Sequence, residues 1–207
     1  MVKNLLLLLL ISFEIAAQTM TPEEALQTLM SGNERFASDQ SLHPDRTSER
    51  RQETAQQQEP FAIILGCSDS RVSPEILFDQ GIGDLFIVRV AGNVVGAIEL
   101  DSIDYSALYL HSSLILVLGH ENCGAVSNVV QGKTKDIETV ASLIQPAAYK
   151  TRHITEDRLE KTIKENVKLV VKQLRFSPII SSLISQHKID VVGGYYNFHT
   201  GEVELLK

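Results

Sequence analysis

The chain has 207 residues, of which 43% are hydrophobic and 22% are charged, and this composition is typical of a globular domain that can bury a core. Its formal net charge of -7 and its isoelectric point near 5.4 argue against binding to nucleic acid, which requires a basic surface. Two cysteines are too few for a disulfide-rich scaffold, and no apolar run reaches the roughly 18 residues that stable membrane insertion requires.

Residues 1–18 have the organisation of a targeting segment. Lys3 supplies a positive charge, residues 5–13 form a largely apolar stretch, and residues 15–17 offer small side chains for cleavage. A helix over the apolar stretch would be only about 14 Å long, which is too short to cross a bilayer. We therefore predict a signal peptide and export to the periplasm or the medium, with a cytoplasmic location as the alternative. In that alternative, the segment is an apolar helix that packs on a partner subunit.

Residues 19–207 are predicted to form one domain, which begins with a helix. Thr21 can cap this helix, Pro22 fits its first turn, and Glu24 completes a capping box, so we expect a helix to about Ala37. A polar loop with a short helix at 48–57 follows. The next predicted elements are a buried strand at 61–66, a short helix from residue 73, a strand at 85–90, a helix at 97–110 and a buried strand at 114–119.

The second half of the chain is predicted to be mainly helical, with a terminal hairpin. Helices are expected at 123–132, 137–149, 156–174 and from residue 177, and strands at 191–198 and 202–206. Continuously apolar strands that alternate with helices indicate a parallel sheet covered on both faces. The predicted fold class is α/β, with a central, mainly parallel sheet flanked by helices and a carboxyl-terminal hairpin or edge strand.

Reactive side chains follow the ends of two of the buried strands. Cys67, Asp69 and Arg71 come after the first, and alternate residues of an extended segment project to the same side. His120 and Cys123 come after the strand at 114–119, with a spacing that can bring an imidazole and a thiolate to one point. Because ligands collect at the carboxyl ends of strands in open parallel sheets, we expect one shared site.

The residue types at this site favour a metal ion. Cys67, His120 and Cys123 are a soft ligand set suited to Zn²⁺, and three protein ligands leave the fourth tetrahedral position open, as in catalytic zinc sites. Two thiolates would neutralise the ion, so the guanidinium of Arg71 would restore positive potential next to it. Asp69 can accept a hydrogen bond from Arg71 or fill the open position itself.

Other interpretations of the same residues remain open at this point. Cys67 and Cys123 can form a disulfide after export, or Asp69 can close a purely structural zinc site. Cys67 can be a nucleophile with His120 as its base, and Asp69 with Arg71 can be a surface ion pair worth less than about 1 kcal/mol. The other histidines are isolated, and we interpret them as surface or packing residues: His43, His111, His153, His187 and His199.

Several segments resemble the beta class of carbonic anhydrases. Residues 67–72 (Cys-Ser-Asp-Ser-Arg-Val) and 119–126 (Gly-His-Glu-Asn-Cys-Gly-Ala-Val) are similar to its two signature motifs. The resemblance extends through residues 88–93, 193–196 and 199–201, and it covers essentially everything after the leader. A regulated subset of that family carries a bicarbonate pocket built with a Trp, and this chain contains no Trp.

The resemblance implies one Zn²⁺ per chain, held by Cys67, His120 and Cys123, and a catalytic dyad of Asp69 and Arg71 that gates the metal. In the open form Asp69 pairs with Arg71 and water is the fourth ligand, whereas in the closed form Asp69 replaces that water. The implied reaction is the reversible hydration of carbon dioxide to bicarbonate and a proton, by attack of zinc-bound hydroxide.

The resemblance also implies a homodimer or homotetramer, with an amino-terminal helical arm at residues 22–37 over the neighbouring subunit. Gly124, at a predicted helix start, would offer a backbone amide to the substrate. Two alternative functions remain. One is a zinc hydrolase for another linear molecule, such as carbon disulfide, and the other is a non-catalytic interaction protein stabilised by zinc or a disulfide.

Overall fold

The computed structural model describes residues 20–207, and the predicted leader lies outside them. The strands are β1 (Ala62–Gly66), β2 (Leu85–Arg89), β3 (Leu114–His120), β4 (Asp190–Tyr196) and β5 (Val203–Leu206). They form one sheet in the order β2-β1-β3-β4-β5, in which β5 is antiparallel to β4 and all other pairs are parallel. The predicted α/β class, with its mainly parallel sheet and terminal hairpin, is confirmed.

The helices follow the predicted order along the chain, with α1 and α2 before the first strand. They are α1 (Pro22–Ala37), α2 (Ser48–Glu53), α3 (Pro74–Leu77), α4 (Ala97–Tyr109), α5 (Gly124–Val130), α6 (Glu138–Lys150), α7 (Arg158–Arg175) and α8 (Pro178–Ser185), and a short 3-10 turn spans Ala91–Asn93. Among the residues that the structure describes, no helix is long and apolar enough to cross a membrane.

The helices cover both faces of the sheet because the central strands are apolar on both faces. Ile63 and Leu65 of β1 face one layer, which α4, α7 and α8 cover, whereas Ile64 faces the opposite layer, which α1 and α3 cover. Helices α5 and α6 form a third cluster at the carboxyl ends of the strands, together with the turn at residues 91–93. This third cluster includes both cysteines of the chain.

Helix α7 packs directly against two glycines of the sheet. A Cβ atom at Gly119 of β3 would lie 2.6 Å from Cγ2 of Val167, and one at Gly193 of β4 would lie 2.7 Å from its Cγ1. Val167 is fully buried and occupies the space that the two missing side chains leave. The position of α7 along the sheet is therefore fixed by backbone contacts as well as by its apolar face.

The predicted short helix at 48–57 is shorter in the structure and ends at Glu53. None of its residues is buried, so no apolar packing supports further turns, and isolated helices of this length are marginal in water. The hydroxyl of Thr54 donates to the carbonyl of Arg50 (2.9 Å) at the point where the helix stops.

A buried carboxylate ties the loop after α1 to the body of the domain. The side chain of Asp79, fully buried, accepts hydrogen bonds from the backbone N–H groups of Leu42 and His43 (both 2.9 Å) and from Nε of Arg35 (2.7 Å). Burial alone would raise the pKa of Asp79, but these donors outweigh it and lower the pKa below its usual value. The folded state therefore favours the ionised carboxylate.

We expect Asp79→Asn to lower the free energy of unfolding at pH 7 by about 2–3 kcal/mol, because a fully buried charged acceptor with three hydrogen-bond donors is lost. Since the pKa is lowered on folding, the contribution is complete above the unfolded-state pKa of about 3.9 and is lost as the pH falls through the folded-state pKa. Urea unfolding of the wild-type and Asp79→Asn proteins at pH 7 and at acidic pH, at one protein concentration, measures the difference in their free energies of unfolding.

Glu165→Gln provides the control, because Glu165 pairs with Lys150 at the surface (2.7 Å) and such pairs contribute less than about 1 kcal/mol. An Asp79→Asn protein as stable at pH 7 as the Glu165→Gln protein would contradict the role of Asp79.

Candidate metal centre

Parallel pairing brings the two cysteines and one histidine together. In the register of β1 and β3, Gly66 lies opposite Leu118, so Cys67, the next residue, reaches the end of β3. His120 is the last residue of β3 and Cys123 immediately precedes α5. The ligand atoms of the three side chains lie within 4.8 Å of one another and all three residues are buried. The predicted meeting of these residues is therefore present in the structure.

His120 presents one ring nitrogen to the centre of this cluster. Its Nδ1 lies 2.8 Å from the carbonyl oxygen of Glu121, so an N–H at Nδ1 donates to that oxygen and leaves a lone pair on Nε2. Nε2 is buried and has no hydrogen-bond partner among residues 20–207. A buried imidazole with one nitrogen anchored to the backbone and the other free has the usual arrangement of a metal ligand.

Both cysteines are free thiols, so the structure does not contain the disulfide that the sequence left open. They titrate as a pair: a hydrogen bond from Cys123 lowers the pKa of Cys67 to about 4 against the opposing effect of burial, with help from His120 and the backbone amide of Gly92. The hydrogen bond to Cys67 and burial raise the pKa of Cys123. The cluster thus stabilises a thiolate, which is the form of cysteine that binds metals.

Asp69 and Arg71 form a two-pronged ion pair beside the cluster. Nε of Arg71 donates to Oδ1 of Asp69 (2.9 Å) and Nη2 donates to Oδ2 (2.7 Å). Oδ2 also lies 3.9 Å from Nε2 of His120. The Arg71 hydrogen bonds hold the pKa of Asp69 well below its usual range despite partial burial. An ionised carboxylate therefore borders the three candidate ligands at neutral pH.

The sequence predicted an extended segment at residues 67–71, but the structure shows that this segment is not extended over its whole length. It turns after Asp69, where the N–H of Val72 donates to the Asp69 carbonyl (3.0 Å), and this turn, rather than strand alternation, brings Arg71 to Asp69. Arg89, at the end of β2, stabilises the segment because it donates to the carbonyls of Cys67 (2.9 Å) and Asp69 (2.6 Å). Sequence reasoning missed Arg89, although its position at the end of a neighbouring strand could have indicated it.

Phe198 is a second residue that sequence reasoning missed. The guanidinium of Arg71 lies over its ring, 4.2 Å from the centroid, and the ring centroid is 5.4 Å from that of His120. The N–H of Phe198 donates to Oε2 of Glu121 (3.0 Å), which fixes the ring next to the histidine. A cation above an aromatic face is attracted to it, so Phe198 helps to hold Arg71 in place.

The remaining residues singled out in the sequence lie around the cluster or away from it. Gly124 is the first residue of α5, is exposed, and has open space beside its Cα, so its contact with a substrate stays a prediction. The five isolated histidines are exposed and do not join the cluster, as expected: His43, His111, His153, His187 and His199.

Known proteins are similar in sequence to this chain over most of its length. A sequence profile of the family described as carbonic anhydrase matches residues 62–203. A carbonic anhydrase of Mycolicibacterium smegmatis is 38% identical over 191 residues, which cover 89% of this chain and 93% of that protein. Carbonic anhydrase 2 of Mycobacterium tuberculosis is 36% identical over 192 residues, which cover 89% and 92%.

Solved structures share the fold. The structure of the beta-carbonic anhydrase CcaA matches with a TM-score of 0.70 and 26% identity, and that of the Coccomyxa beta-carbonic anhydrase in complex with acetazolamide matches with 0.69 and 28%. Each match covers 87% of this chain and 86% of the other. A tetrameric beta-carbonic anhydrase of Sordaria macrospora, 22% identical with a TM-score of 0.72, covers 87% of this chain and 96% of its own.

The geometry predicts that the chain binds one soft divalent metal ion and that Cys67→Ser loses it, because a serine hydroxyl is a poor ligand for such an ion. Elemental analysis of the purified proteins measures the metal content per chain. His111→Gln, which changes an exposed histidine away from the cluster, serves as the control and should retain the metal. Full occupancy in the Cys67→Ser protein would remove Cys67 from the ligand set.

Proposed function

The chain belongs to the beta-carbonic anhydrase family, and we propose that it hydrates carbon dioxide with a Zn²⁺ ion held by Cys67, His120 and Cys123. Reversible hydration of carbon dioxide to bicarbonate and a proton is the activity of the family, and the relatives with 36–38% identity are carbonic anhydrases. The observation that carries the zinc assignment is the buried cluster, in which the three ligand atoms lie within 4.8 Å of one another.

The donor set fits Zn²⁺ better than a hard cation. Two sulfur atoms and one imidazole nitrogen are soft or borderline ligands, whereas Mg²⁺ and Ca²⁺ prefer oxygen. Nε2 of His120 is buried without a hydrogen-bond partner in the described part of the chain, which costs free energy. A bond to a metal ion would remove this cost. Oδ2 of Asp69 lies 3.9 Å from Nε2 of His120, but Arg71 engages both oxygens of Asp69, which supports three protein ligands and an open fourth position.

The chain's own residues prepare the attack on carbon dioxide. When bound, zinc supplies Lewis-acid chemistry that lowers the pKa of a water toward about 7. Asp69 accepts a hydrogen bond from the attacking oxygen and directs its lone pair at the substrate carbon. Because Arg71 keeps the pKa of Asp69 low, the carboxylate remains an acceptor and takes no proton at neutral pH.

The same ion pair supports the proposed gate. Arg71 holds Asp69 in the structure through both carboxylate oxygens, which corresponds to the open form that the resemblance implies. If Asp69 left Arg71, its Oδ2, now 3.9 Å from Nε2 of His120, could move into the fourth position and exclude water. The attraction of Arg71 to the ring of Phe198 (4.2 Å) opposes this release because it holds the guanidinium in place.

We also propose that the protein is a homodimer or homotetramer. Helix α4 exposes Ile98, Tyr105 and Tyr109, whose side chains are 46–78% accessible in the single chain, and Tyr105 packs on Tyr109 with ring centroids 5.5 Å apart. Exposed aromatic side chains of this kind are typical of protein–protein contacts.

Stopped-flow measurement of carbon dioxide hydration against pH, on protein with verified zinc content, tests the proposed function. We expect fast turnover that increases from neutral to mildly alkaline pH. The same measurement with carbon disulfide as the substrate tests the alternative function, a zinc hydrolase of another linear molecule. Zinc-loaded protein that is inactive on carbon dioxide at every pH would contradict the proposal.

Asp69→Ala is expected to retain zinc and to lose turnover by at least about 100-fold, because the attacking oxygen is no longer oriented. Glu75→Ala, which removes an exposed carboxylate on α3, is the matched control and should keep the wild-type rate. Unchanged turnover in the Asp69→Ala protein would exclude Asp69 from catalysis, and loss of zinc would make it a ligand instead.

We further propose that the protein acts after export, because residues 1–18 combine a positive charge, an apolar stretch and small residues. Expression of the full chain in a bacterial host, followed by fractionation and intact-mass measurement, should yield a periplasmic or secreted protein that begins near Thr19. A cytoplasmic product that retains the whole leader would contradict this prediction.

A further inference from the structure

One backbone amide points at a candidate ligand sulfur. The N–H of Gly92 donates to Sγ of Cys67 over an N–S distance of 3.3 Å, in a buried position. Gly92 has φ 72° and ψ 18°, a left-handed conformation that favours glycine. A Cβ atom there would also lie 2.7 Å from Cδ1 of Ile144. The turn at residues 91–93 therefore requires glycine at the position that delivers this hydrogen bond.

A side chain from a distant helix holds the same glycine. Nδ2 of Asn166, on α7, donates to the carbonyl oxygen of Gly92 (2.9 Å), and Asn166 is 1% exposed. Both backbone polar groups of Gly92 therefore have partners: its N–H donates to Cys67 and its carbonyl oxygen accepts from Asn166. The N–H of Asn93 donates to the carbonyl of Val90 (3.0 Å) and closes the turn between them.

The packing of α7 fixes where Asn166 can be. The next residue, Val167, fits against Gly119 and Gly193, where any added Cβ would clash with it. A shift of α7 along the sheet would therefore meet backbone atoms. Asn166 therefore reaches Gly92 from a helix whose position is fixed by its packing on β3 and β4.

We propose that Asn166 is a positioning residue for the metal: through Gly92 it holds an N–H···S hydrogen bond on the Cys67 ligand. This inference rests on the proposed zinc function and deepens it. Two thiolates donate enough charge to neutralise Zn²⁺, which weakens it as a Lewis acid. A hydrogen bond to a ligand sulfur withdraws part of that charge and fixes the direction of the sulfur lone pairs. Asn166 therefore tunes the centre without touching it.

A purely structural role makes a different prediction. A buried asparagine needs a partner whatever its function, so its loss would lower stability alone. Thr162 provides the comparison, because it is fully buried one turn earlier on α7 and bonds to the carbonyl of Arg158 and the hydroxyl of Thr151 (both 2.7 Å). None of these contacts reaches the cysteines or His120.

The experiment compares Asn166→Leu with Thr162→Val and the wild-type protein. Leucine has the same number of side-chain heavy atoms as asparagine and the same branching at Cγ, but it cannot donate to Gly92. We expect Asn166→Leu to weaken zinc affinity by about 10-fold or more, measured by competition with a chromogenic chelator. In the Co²⁺-substituted protein we expect the sulfur-to-cobalt charge-transfer band to move to longer wavelength, because the Cys67 sulfur becomes richer in electrons. Thr162→Val should leave both quantities at their wild-type values.

Each result decides between the two roles. An Asn166→Leu protein with the affinity and cobalt band of Thr162→Val would overturn the positioning role while leaving the zinc enzyme intact. A wild-type protein that binds neither Zn²⁺ nor Co²⁺ would overturn the proposed function and this inference with it. If Asn166→Leu does not fold, Asn166→Ser takes its place with the same expectation, since serine is polar but too short to reach Gly92.

Discussion

Gly66 of β1 pairs with Leu118 of β3, and this register sets Cys67 beside His120 at one end of the sheet. Both strands are buried over their whole length, so the pairing is fixed by packing on two faces at once. A shift of one residue would turn every side chain of the strand to the opposite layer and separate Cys67 from His120. The candidate metal centre therefore depends on the formation of the sheet, because Cys67 lies far along the chain from His120 and Cys123.

A second constraint comes from the helix that covers this sheet. Gly119 and Gly193 let Val167 approach the strands, and the neighbouring Asn166 then reaches the turn that contacts Cys67. The glycines that permit close packing and the asparagine that bonds to Gly92 are thus parts of one arrangement. A stability defect in α7 and a defect in the metal centre would appear together for this reason, and only variants matched in burial can separate them.

The sequence alone predicted the elements of the sheet and the three candidate ligands, because continuous apolar runs mark buried strands and reactive residues follow their ends. It did not single out Arg89, although the position of this residue at the end of a strand is a signal that could have indicated it. Asn166 and Phe198 could not be predicted as neighbours of the site, because their contacts depend on the position of α7 and on the placement of the terminal hairpin, which residue spacing does not encode. The turn after Asp69 was missed for a related reason: a short polar segment carries no periodicity that distinguishes a turn from extended chain.

Charge balance connects these contacts. Two thiolates would cancel the charge of Zn²⁺, and a third anion, Asp69, lies beside them, so the chain must supply positive potential. It does so with Arg71, with the backbone N–H of Gly92 on the Cys67 sulfur and with the guanidinium of Arg89, which donates to the carbonyls of Cys67 and Asp69. Arg71 is committed to Asp69, which makes it ineffective as a direct partner for the sulfurs. The N–H of Gly92 is a fixed dipole in a buried position, so it is the group best suited to offset the thiolate charge while Arg71 stays paired with Asp69.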